Sequence, residues 1–343
     1  PENLFANNAK VNNFSNCFGY CKRIVSVPEN LFANNTEVTD FSYCFSGTRI
    51  TAIPENLFKY NTKVTNFSSC FYNSTSITTI PENLFRYNTK VTNFSSCFGN
   101  SYSNNLSVIP EGLFKYNTEA TNFVYVFYNS NITQIPEGLF KYNTKAVYFG
   151  SVFKQCTKLT SIPETLFQTN TEAIDFNSAF DGCREITSIP INLLKYNTKI
   201  TDIRRIFAGT EITSFTKDIF AYNVLITRSD NMFAYCHSLK YAELPESFNS
   251  IGDTAYQGCT SLLSITTSLT TPQTLGATVF DDTNNCPIYV PVSAINTYKT
   301  ASGWSAYASR ITRPNLTSDV TLTVNFKTTD GTTVGTKTYT VAS

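Results

Sequence analysis

A fixed separation between two positions recurs along this chain and constrains its fold. The stretch PENLFKYNTKVTNFSSCF, residues 54–71, appears nine times with substitutions, and each copy places its last phenylalanine 17 residues after its first residue. A separation held this constant predicts one supersecondary unit stacked on copies of itself. The copies start at Pro1, Pro28, Pro54, Pro81, Pro110, Pro136, Pro163, Pro190 and Thr216, and the matching phenylalanines are Phe18, Phe45, Phe71, Phe98, Phe127, Phe153, Phe180, Phe207 and Phe233.

The length variation is confined to one segment of each copy. Between a copy's phenylalanine and the start of the next copy, the spacing ranges from 9 to 12 residues. The constant part must therefore hold the packed framework, and the variable part must be a surface turn. The widest example, residues 99–105, reads GNSYSNN and is polar and turn-rich.

Each copy begins with a pattern typical of a short helical turn. Pro54 suits the first helical position, because the N–H that proline lacks would be unpaired there, and Glu55 lies at the positive end of the helix dipole. Asn61 ends the turn either because asparagine tolerates a left-handed backbone or because it belongs to a ladder of stacked, hydrogen-bonded asparagines. All nine copies carry it, as Asn8, Asn35, Asn61, Asn88, Asn117, Asn143, Asn170, Asn197 and Asn223.

The apolar positions predict a core and short strands. We expect one or two short strands per coil, each paired with the coils above and below at about 4.8 Å. A single copy orders too many residues for the apolar surface that it buries, so the copies must fold as an array. The inward-facing residues of the copy at Pro54 are Leu57, Phe58, Val64, Phe67, Phe71, Ile77 and Ile80.

The cysteines follow the repeat. One column precedes the repeat phenylalanine and exchanges cysteine for valine, alanine, isoleucine and methionine, which indicates an apolar core position. A second column, three residues after the phenylalanine, alternates with threonine and serine. No CxxC pair is present and His237 is the sole histidine, which argues against a zinc site. We expect free, buried thiols that are almost unreactive in the native protein. The two columns contain Cys17, Cys44, Cys70 and Cys97, and Cys21, Cys156, Cys183 and Cys236.

The C-terminal third changes type. Residues 248–265 keep an aromatic residue followed three positions later by a small one, Tyr256 and Cys259, but their first residues differ from those of the repeats. Residues 286–311 predict a strand, then two helical pieces with Trp304, the only tryptophan, between them. Such a segment would cover the last apolar face of a solenoid. Residues 320–326 alternate apolar and polar, as a half-buried strand does, and Asp330–Gly331 is a hairpin signal before a return strand over residues 334–341.

These pieces resemble the BspA-like leucine-rich repeats of bacterial surface proteins. The resemblance rests on the VTNF–SSCF and LTSIPE segments, on the isoleucine–glycine, aromatic and glycine–cysteine pattern of residues 248–265, and on CPIYVP…YKTASGW, which is similar to the end piece of such arrays. Phe67 and Cys70–Phe71 stand where family repeats carry methionine and a methionine–phenylalanine pair. The resemblance implies an α/β, leucine-rich-repeat-like solenoid, coiled right-handed in units of about 26–27 residues.

The expected organisation has three parts: nine repeats over residues 1–247, a variant repeat and C-terminal cap over residues 248–313, and the start of a β-rich domain or a linker hairpin over residues 314–343. The chain opens in mid-period and closes inside a strand-like segment. We therefore expect it to be part of a longer protein.

Composition and motifs argue against several functions. With 26 Lys+Arg against 25 Asp+Glu, the net charge of +1 offers no concentrated basic field for nucleic acid. No apolar run approaches the roughly 18 residues of a membrane helix. His237 alone cannot form a nucleophile–base constellation, and no phosphate loop or motif requiring a cofactor or metal is present. The regular glutamates follow from the regular turn starts: Glu29, Glu55, Glu82, Glu111, Glu137 and Glu164. Arg204–Arg205 is interpreted as solvated surface.

The leading hypothesis is therefore an extracellular or cell-surface binding or adhesion protein, non-catalytic, whose partner is a protein or glycan surface. The resemblance also leaves a phage tail-associated structural or receptor-binding protein on a virion as an alternative. A repeated basic–aromatic pair has the composition of contact surfaces, or its lysine stems merely cover apolar surface. The candidate residues are Lys59, Tyr60, Arg86, Tyr87, Lys115, Tyr116, Lys141, Tyr142, Lys195 and Tyr196, with Tyr102 and Asn104 from the widest turn.

Overall fold

The chain forms a solenoid in which each coil lies directly on the next. The structure is a computed structural model that describes residues 3–101, 105–314, 320–327 and 333–341, the last two ranges by their backbone. Backbone bonds join consecutive coils: the N–H of Phe67 donates to the carbonyl of Asn93, and that of Phe71 to the carbonyl of Cys97, both at 2.9 Å. The predicted solenoid of stacked repeats is confirmed.

Strand pairing in the first coils is shorter than predicted. Each of these coils contributes one residue to a column of isolated parallel bridges, and the described residues before Ser214 form no longer strand. The extended run stops because the backbone turns soon after the bridge: Ser69, three residues beyond Asn66, has φ of 55°. The bridged column is Asn13, Asp40, Asn66, Asn93, Asn122, Tyr148, Asp175, Asp202 and Arg228.

Regular strands appear towards the C-terminus. Five of them form a parallel sheet in the order β1-β2-β4-β6-β7, and β3 and β5 form a separate parallel pair. In chain order the strands are β1 (Ser214–Phe215), β2 (Tyr241–Glu243), β3 (Ser250–Ile251), β4 (Ser264–Thr266), β5 (Thr274–Leu275), β6 (Ile288–Tyr289) and β7 (Ile311–Thr312). The expectation of one or two short strands per coil is therefore met by regular strands, among the described residues, only in this part of the solenoid.

The turn after each repeat proline is a run of i→i−3 hydrogen bonds. In the coil at Pro54, N–H groups of Leu57, Lys59 and Asn61 each donate to the carbonyl three residues earlier, at 3.0–3.2 Å. The donors are two residues apart, so the segment is a series of turns and not a continuous helix. At the equivalent place in the ninth copy the turn becomes a regular 3-10 helix, Lys217–Phe220.

The core is three stacked columns of phenylalanine. Within one coil the rings of Phe58 and Phe67 lie 4.7 Å apart. Between coils each ring stacks on its equivalent, with centroids 5.7 Å apart for Phe71 and Phe98. The third column continues beyond the repeats through Phe233, Tyr256, Phe280 and Trp304, with successive centroids 5.4, 5.8 and 5.9 Å apart.

The repeat asparagine forms a ladder between coils. The amide Nδ2 of Asn61 donates to the carbonyls of Phe32 at 3.1 Å and Asn35 at 2.9 Å, both in the preceding coil. The same pair of bonds recurs at each equivalent residue from Asn35 to Asn223. The ladder explanation is therefore correct. The left-handed explanation is wrong, because Asn61 has no positive φ.

The C-terminal segment has the predicted elements. Two 3-10 helices, Val292–Ala294 and Trp304–Tyr307, flank α1 (Ile295–Thr300). Trp304 is fully buried and its Nε1 donates to the carbonyl of Gln273 at 2.7 Å, so it is a core residue. Beyond it, β8 (Val320–Lys327) pairs antiparallel with β9 (Thr333–Val341), as the hairpin signal predicts. The predicted turn residues Asp330–Gly331 lie outside the described residues.

Candidate functional site

The basic–aromatic pairs are held at the surface by buried neighbours on both sides. In each coil that carries such a pair, it stands between a buried apolar residue, Phe58 for example or Leu194 in one coil, and a buried ladder asparagine such as Asn61. The i→i−3 turn between these anchors projects the pair outward: Tyr60 is 46% exposed. Every coil thus presents the same two positions at the same place on the solenoid.

The pairs form a continuous ladder across four coils. Each of Lys59, Arg86 and Lys115 lies over the tyrosine of its own coil and the tyrosine of the next coil, whereas Lys141 lies over the tyrosine of its own coil. Lys59 Nζ is 5.4 Å from the ring centroid of Tyr60 and 6.0 Å from that of Tyr87. The guanidinium of Arg86 is 5.7 Å from Tyr87 and 5.5 Å from Tyr116. These are cation–π distances. We call the set Lys59, Tyr60, Arg86, Tyr87, Lys115, Tyr116, Lys141 and Tyr142 the cation–tyrosine ladder.

One coil interrupts the row of pairs, and the next coil carries a pair again. Gln168–Thr169 occupies the pair position after Tyr142. Lys195 then lies 5.7 Å from the ring of Tyr196 and 5.8 Å from that of Tyr222. Sequence reasoning missed Tyr222, although it follows Phe220 in the register of the other pairs. Two other predicted contact residues, Tyr102 and Asn104, lie outside the described residues.

Arg204 and Arg205 lie at the surface, as interpreted, with side chains 30% and 41% exposed, but both also pair with buried carboxylates. Arg205 and Lys154 pair with Asp181, at 3.0 and 2.9 Å, and the side chain of Asp181 is only 4% exposed. Arg204 and Arg228 pair with Asp202, at 2.8 and 3.1 Å. The cations neutralise carboxylates that would otherwise be buried without partners, which is a structural role.

Family comparisons agree with this architecture. Residues 177–302 match the model of the BspA type leucine rich repeat region, in six copies. Residues 5–113 match a family described as a Mycoplasma protein of unknown function, DUF285. Residues 177–302 are thus similar to BspA-type leucine-rich repeats. No curated protein matches the sequence significantly.

Solved leucine-rich-repeat structures are similar at low identity. A chain of the Toll–Spätzle complex from Drosophila is 15% identical with a TM-score of 0.45, over 92% of this chain and 42% of that chain. A chain of the TLR13–ssRNA13 complex is 12% identical with a TM-score of 0.42, over 77% of this chain and 38% of that chain. A leucine-rich repeat protein from Bacteroides ovatus is 13% identical with a TM-score of 0.31, over 89% of this chain and 88% of that chain. The chain thus spans less than half of the first two, and at these scores the likeness carries no conclusion about function.

The ten thiols of the chain are all free, but not all are buried. Eight are buried, whereas Cys17 and Cys21, in the first coil, are exposed. Burial raises the pKa of both the Cys156 and Cys236 thiols to about 12, and their Sγ atoms donate to the carbonyls of Phe127 and Phe207. The expectation of buried thiols is therefore correct for eight positions and wrong for two.

Thiol titration checks this distribution. We expect Ellman reagent at pH 8 to react promptly with two thiols of the native protein, Cys17 and Cys21, and with ten after denaturation. A Cys17→Ser, Cys21→Ser variant should then show almost no native reactivity. More than two fast native thiols would contradict the burial described for the other eight.

The sole histidine of the chain lies at the surface. His237 is exposed, and the nearest polar partner of its Nδ1 is the Thr260 hydroxyl at 3.5 Å. In the described part of the chain, no three or more metal-ligating side chains are placed so that they could hold an ion. Among the described residues, no helix has the length and apolarity needed to cross a bilayer.

Proposed function

We propose that this leucine-rich-repeat chain is a non-catalytic binding or adhesion protein of the extracellular or cell surface, and that it contacts a protein or glycan surface through the cation–tyrosine ladder. The observation that carries the proposal is the continuity of the ladder. Eight exposed or half-exposed side chains on four consecutive coils form one stripe of alternating cations and aromatic rings. Tyrosine and arginine are enriched among residues that dominate binding energy.

The geometry of the ladder lowers the cost of binding. A long cationic side chain loses about 0.5–1.5 kcal/mol of conformational free energy when a partner immobilises it. Here the rings of two coils already hold each of Lys59, Arg86 and Lys115. A partner that contacts the ladder therefore meets a surface that is ordered before the encounter.

Charge reversal along the ladder tests the proposal. We expect the variant Lys59→Glu, Arg86→Glu, Lys115→Glu, Lys141→Glu to lose saturable binding to its target by at least about tenfold. Binding of the immobilised chain is measured against host matrix proteins and mucin glycans, intact gut bacterial cells, and single-stranded DNA. Each lost cation–π contact costs only about 0.5–1 kcal/mol at an exposed site, so the variant should stay folded by circular dichroism.

A matched control separates the ladder from net charge. The variant Lys10→Glu, Lys90→Glu, Lys158→Glu, Lys240→Glu changes four exposed lysines outside the ladder and should bind like the parent chain. Equal loss in both variants would contradict the proposal. Binding to particular bacterial strains alone would favour the virion alternative, and preferential binding to DNA would replace the proposed partner class.

A further inference from the structure

Three of the six described glutamates near the repeat starts are paired with an asparagine of the next coil. Glu29 Oε1 accepts a hydrogen bond from Nδ2 of Asn56 at 2.8 Å, and Glu55 Oε1 accepts one from Asn83 at 2.9 Å. The same bond joins Glu164 to Asn192 at 2.8 Å. The asparagine of the PEN motif thus has a function that the sequence pattern does not reveal: it binds the glutamate of the preceding coil.

Three consecutive coils lack that asparagine. Gly112, Gly138 and Thr165 stand in its place. The glutamates that they would have served are Glu82, Glu111 and Glu137, all exposed. No carboxylate among these three has a hydrogen bond or ion pair with any described residue. The departures from the repeat therefore free three neighbouring carboxylates in one region of the solenoid.

The same departures open a trough. The missing side chains leave a cavity of about 490 Å³, lined by the three free glutamates, by Lys115 and Lys141 of the ladder, and by Tyr142. Gln168 and Thr169, the pair that interrupts the ladder, line it as well. Four consecutive coils thus depart from the repeat or contribute charged groups at one place. The volume of the cavity is typical of a ligand site.

The lining specifies the chemistry of a ligand. The three carboxylates only accept hydrogen bonds, whereas the two lysine ammonium groups only donate them. The glutamates lie on coils that are about 4.8 Å apart, so their negative charges repel one another unless a cation lies between them. A neutral ligand would remove water from these carboxylates without neutralising them, which is costly.

We propose that this trough binds a peptide segment of a protein partner. The segment presents an arginine or lysine side chain to Glu82, Glu111 and Glu137, and acidic side chains or carbonyl oxygens to Lys115 and Lys141. An arginine guanidinium suits carboxylates especially well, because it donates two parallel hydrogen bonds. This inference rests on the proposed binding function and specifies the partner class for one part of the ladder.

Restoring the repeat asparagines tests the trough. The variant Gly112→Asn, Gly138→Asn, Thr165→Asn is expected to pair all three glutamates and fill the cavity. Neither glycine has a positive φ, so asparagine fits the backbone, and only the Glu82 carboxylate, 2.5 Å from the position of a Cβ on residue 112, must shift. By fluorescence anisotropy, a short labelled peptide that alternates arginine and aspartate should bind this variant at least about tenfold more weakly than the parent chain.

Two controls make the result specific. The variant Glu82→Gln, Glu111→Gln, Glu137→Gln keeps the shape and should also lose binding, whereas Glu29→Gln, Glu55→Gln, Glu164→Gln should retain it. A peptide with glutamine in place of arginine should bind at least about tenfold more weakly than the arginine peptide. Equal binding by the restored-asparagine variant, or equal binding of the glutamine peptide, would overturn the inference.

Binding through the cation–tyrosine ladder and peptide binding in the trough can be tested independently. Lys59 and Arg86 belong to the ladder but do not line the trough. Reversal of these two charges alone therefore tests ladder binding without changing the trough. Loss of target binding in that variant with unchanged peptide binding supports the ladder independently. Retained target binding there, with peptide binding lost in the restored-asparagine variant, would contradict the ladder and leave the trough supported.

Discussion

Replacing Asn117 with aspartate is expected to lower the free energy of unfolding by about 3–5 kcal/mol. The Nδ2 group of Asn117 donates to the carbonyls of Phe85 at 3.1 Å and Asn88 at 2.9 Å, and the residue is fully buried. A carboxylate donates no hydrogen bond, so both carbonyls lose this side-chain donor and keep only their backbone N–H partners, while a negative charge is buried beside them. Urea denaturation followed by circular dichroism measures the change, and hydrogen exchange should localise it to the coils on either side.

The first member of the column is the matched control. Asn8 occupies the same repeat position but is exposed, so Asn8→Asp should change stability by less than about 0.5 kcal/mol. The deficit of Asn117→Asp should also shrink as the pH falls from 7 towards the ordinary carboxyl pKa of about 4, because burial raises the pKa of the new carboxyl in the folded state, and the neutral acid carries no charge and donates one hydrogen bond. Similar unfolding midpoints for the two variants at pH 7 would show that the ladder contributes little.

Truncation of a core ring should have an effect of the same size. Phe114 is fully buried, with ring centroids 4.8 Å from Phe94, 5.0 Å from Phe123 and 6.1 Å from Phe140. We expect Phe114→Ala to cost about 3–5 kcal/mol, because it removes the buried ring and leaves a cavity that rigid neighbouring coils cannot close.

A graded series checks the origin of this loss. Phe114→Leu should cost clearly less than Phe114→Ala, because leucine fills most of the cavity. Truncation of an exposed ladder ring, Tyr142→Ala, should change the unfolding midpoint little. Equal destabilisation by Phe114→Leu and Phe114→Ala would mean that ring stacking and not volume determines the stability of the column.

Several features of the fold were predictable from the repeat because each position has one environment in every coil. A position that exchanges cysteine for valine and isoleucine must be apolar, and Cys44, Cys70 and Cys97 are buried accordingly. The repeat asparagine had two explanations, a left-handed turn end and a hydrogen-bonded ladder. Only the structure could distinguish them, because both require the same residue. The left-handed residues were missed because they are not marked by glycine: Tyr43, Ser69 and Ser96 have φ near 55°.

The candidate surface was likewise predictable only in part. The sequence places Lys59 and Tyr60 at equivalent positions of successive coils and outside the core pattern, so their exposure was predictable. The contact of Lys59 with Tyr87 was not, because it depends on the lateral distance between coils and on the rotamers of two long side chains. The trough was invisible for a similar reason: Gly112 reads as a tolerated substitution until the Glu55–Asn83 bond shows what asparagine does there.

The stacked architecture and the identity of each core column follow from the repeat alone, because a constant period leaves one way to bury the same apolar positions in every coil. How neighbouring coils meet at their surfaces is fixed only in the folded chain. There the relevant partners lie 26–29 residues apart in sequence but a few ångströms apart in space. Whether two side chains pair, stack or leave a cavity is set by that proximity and not by either residue alone.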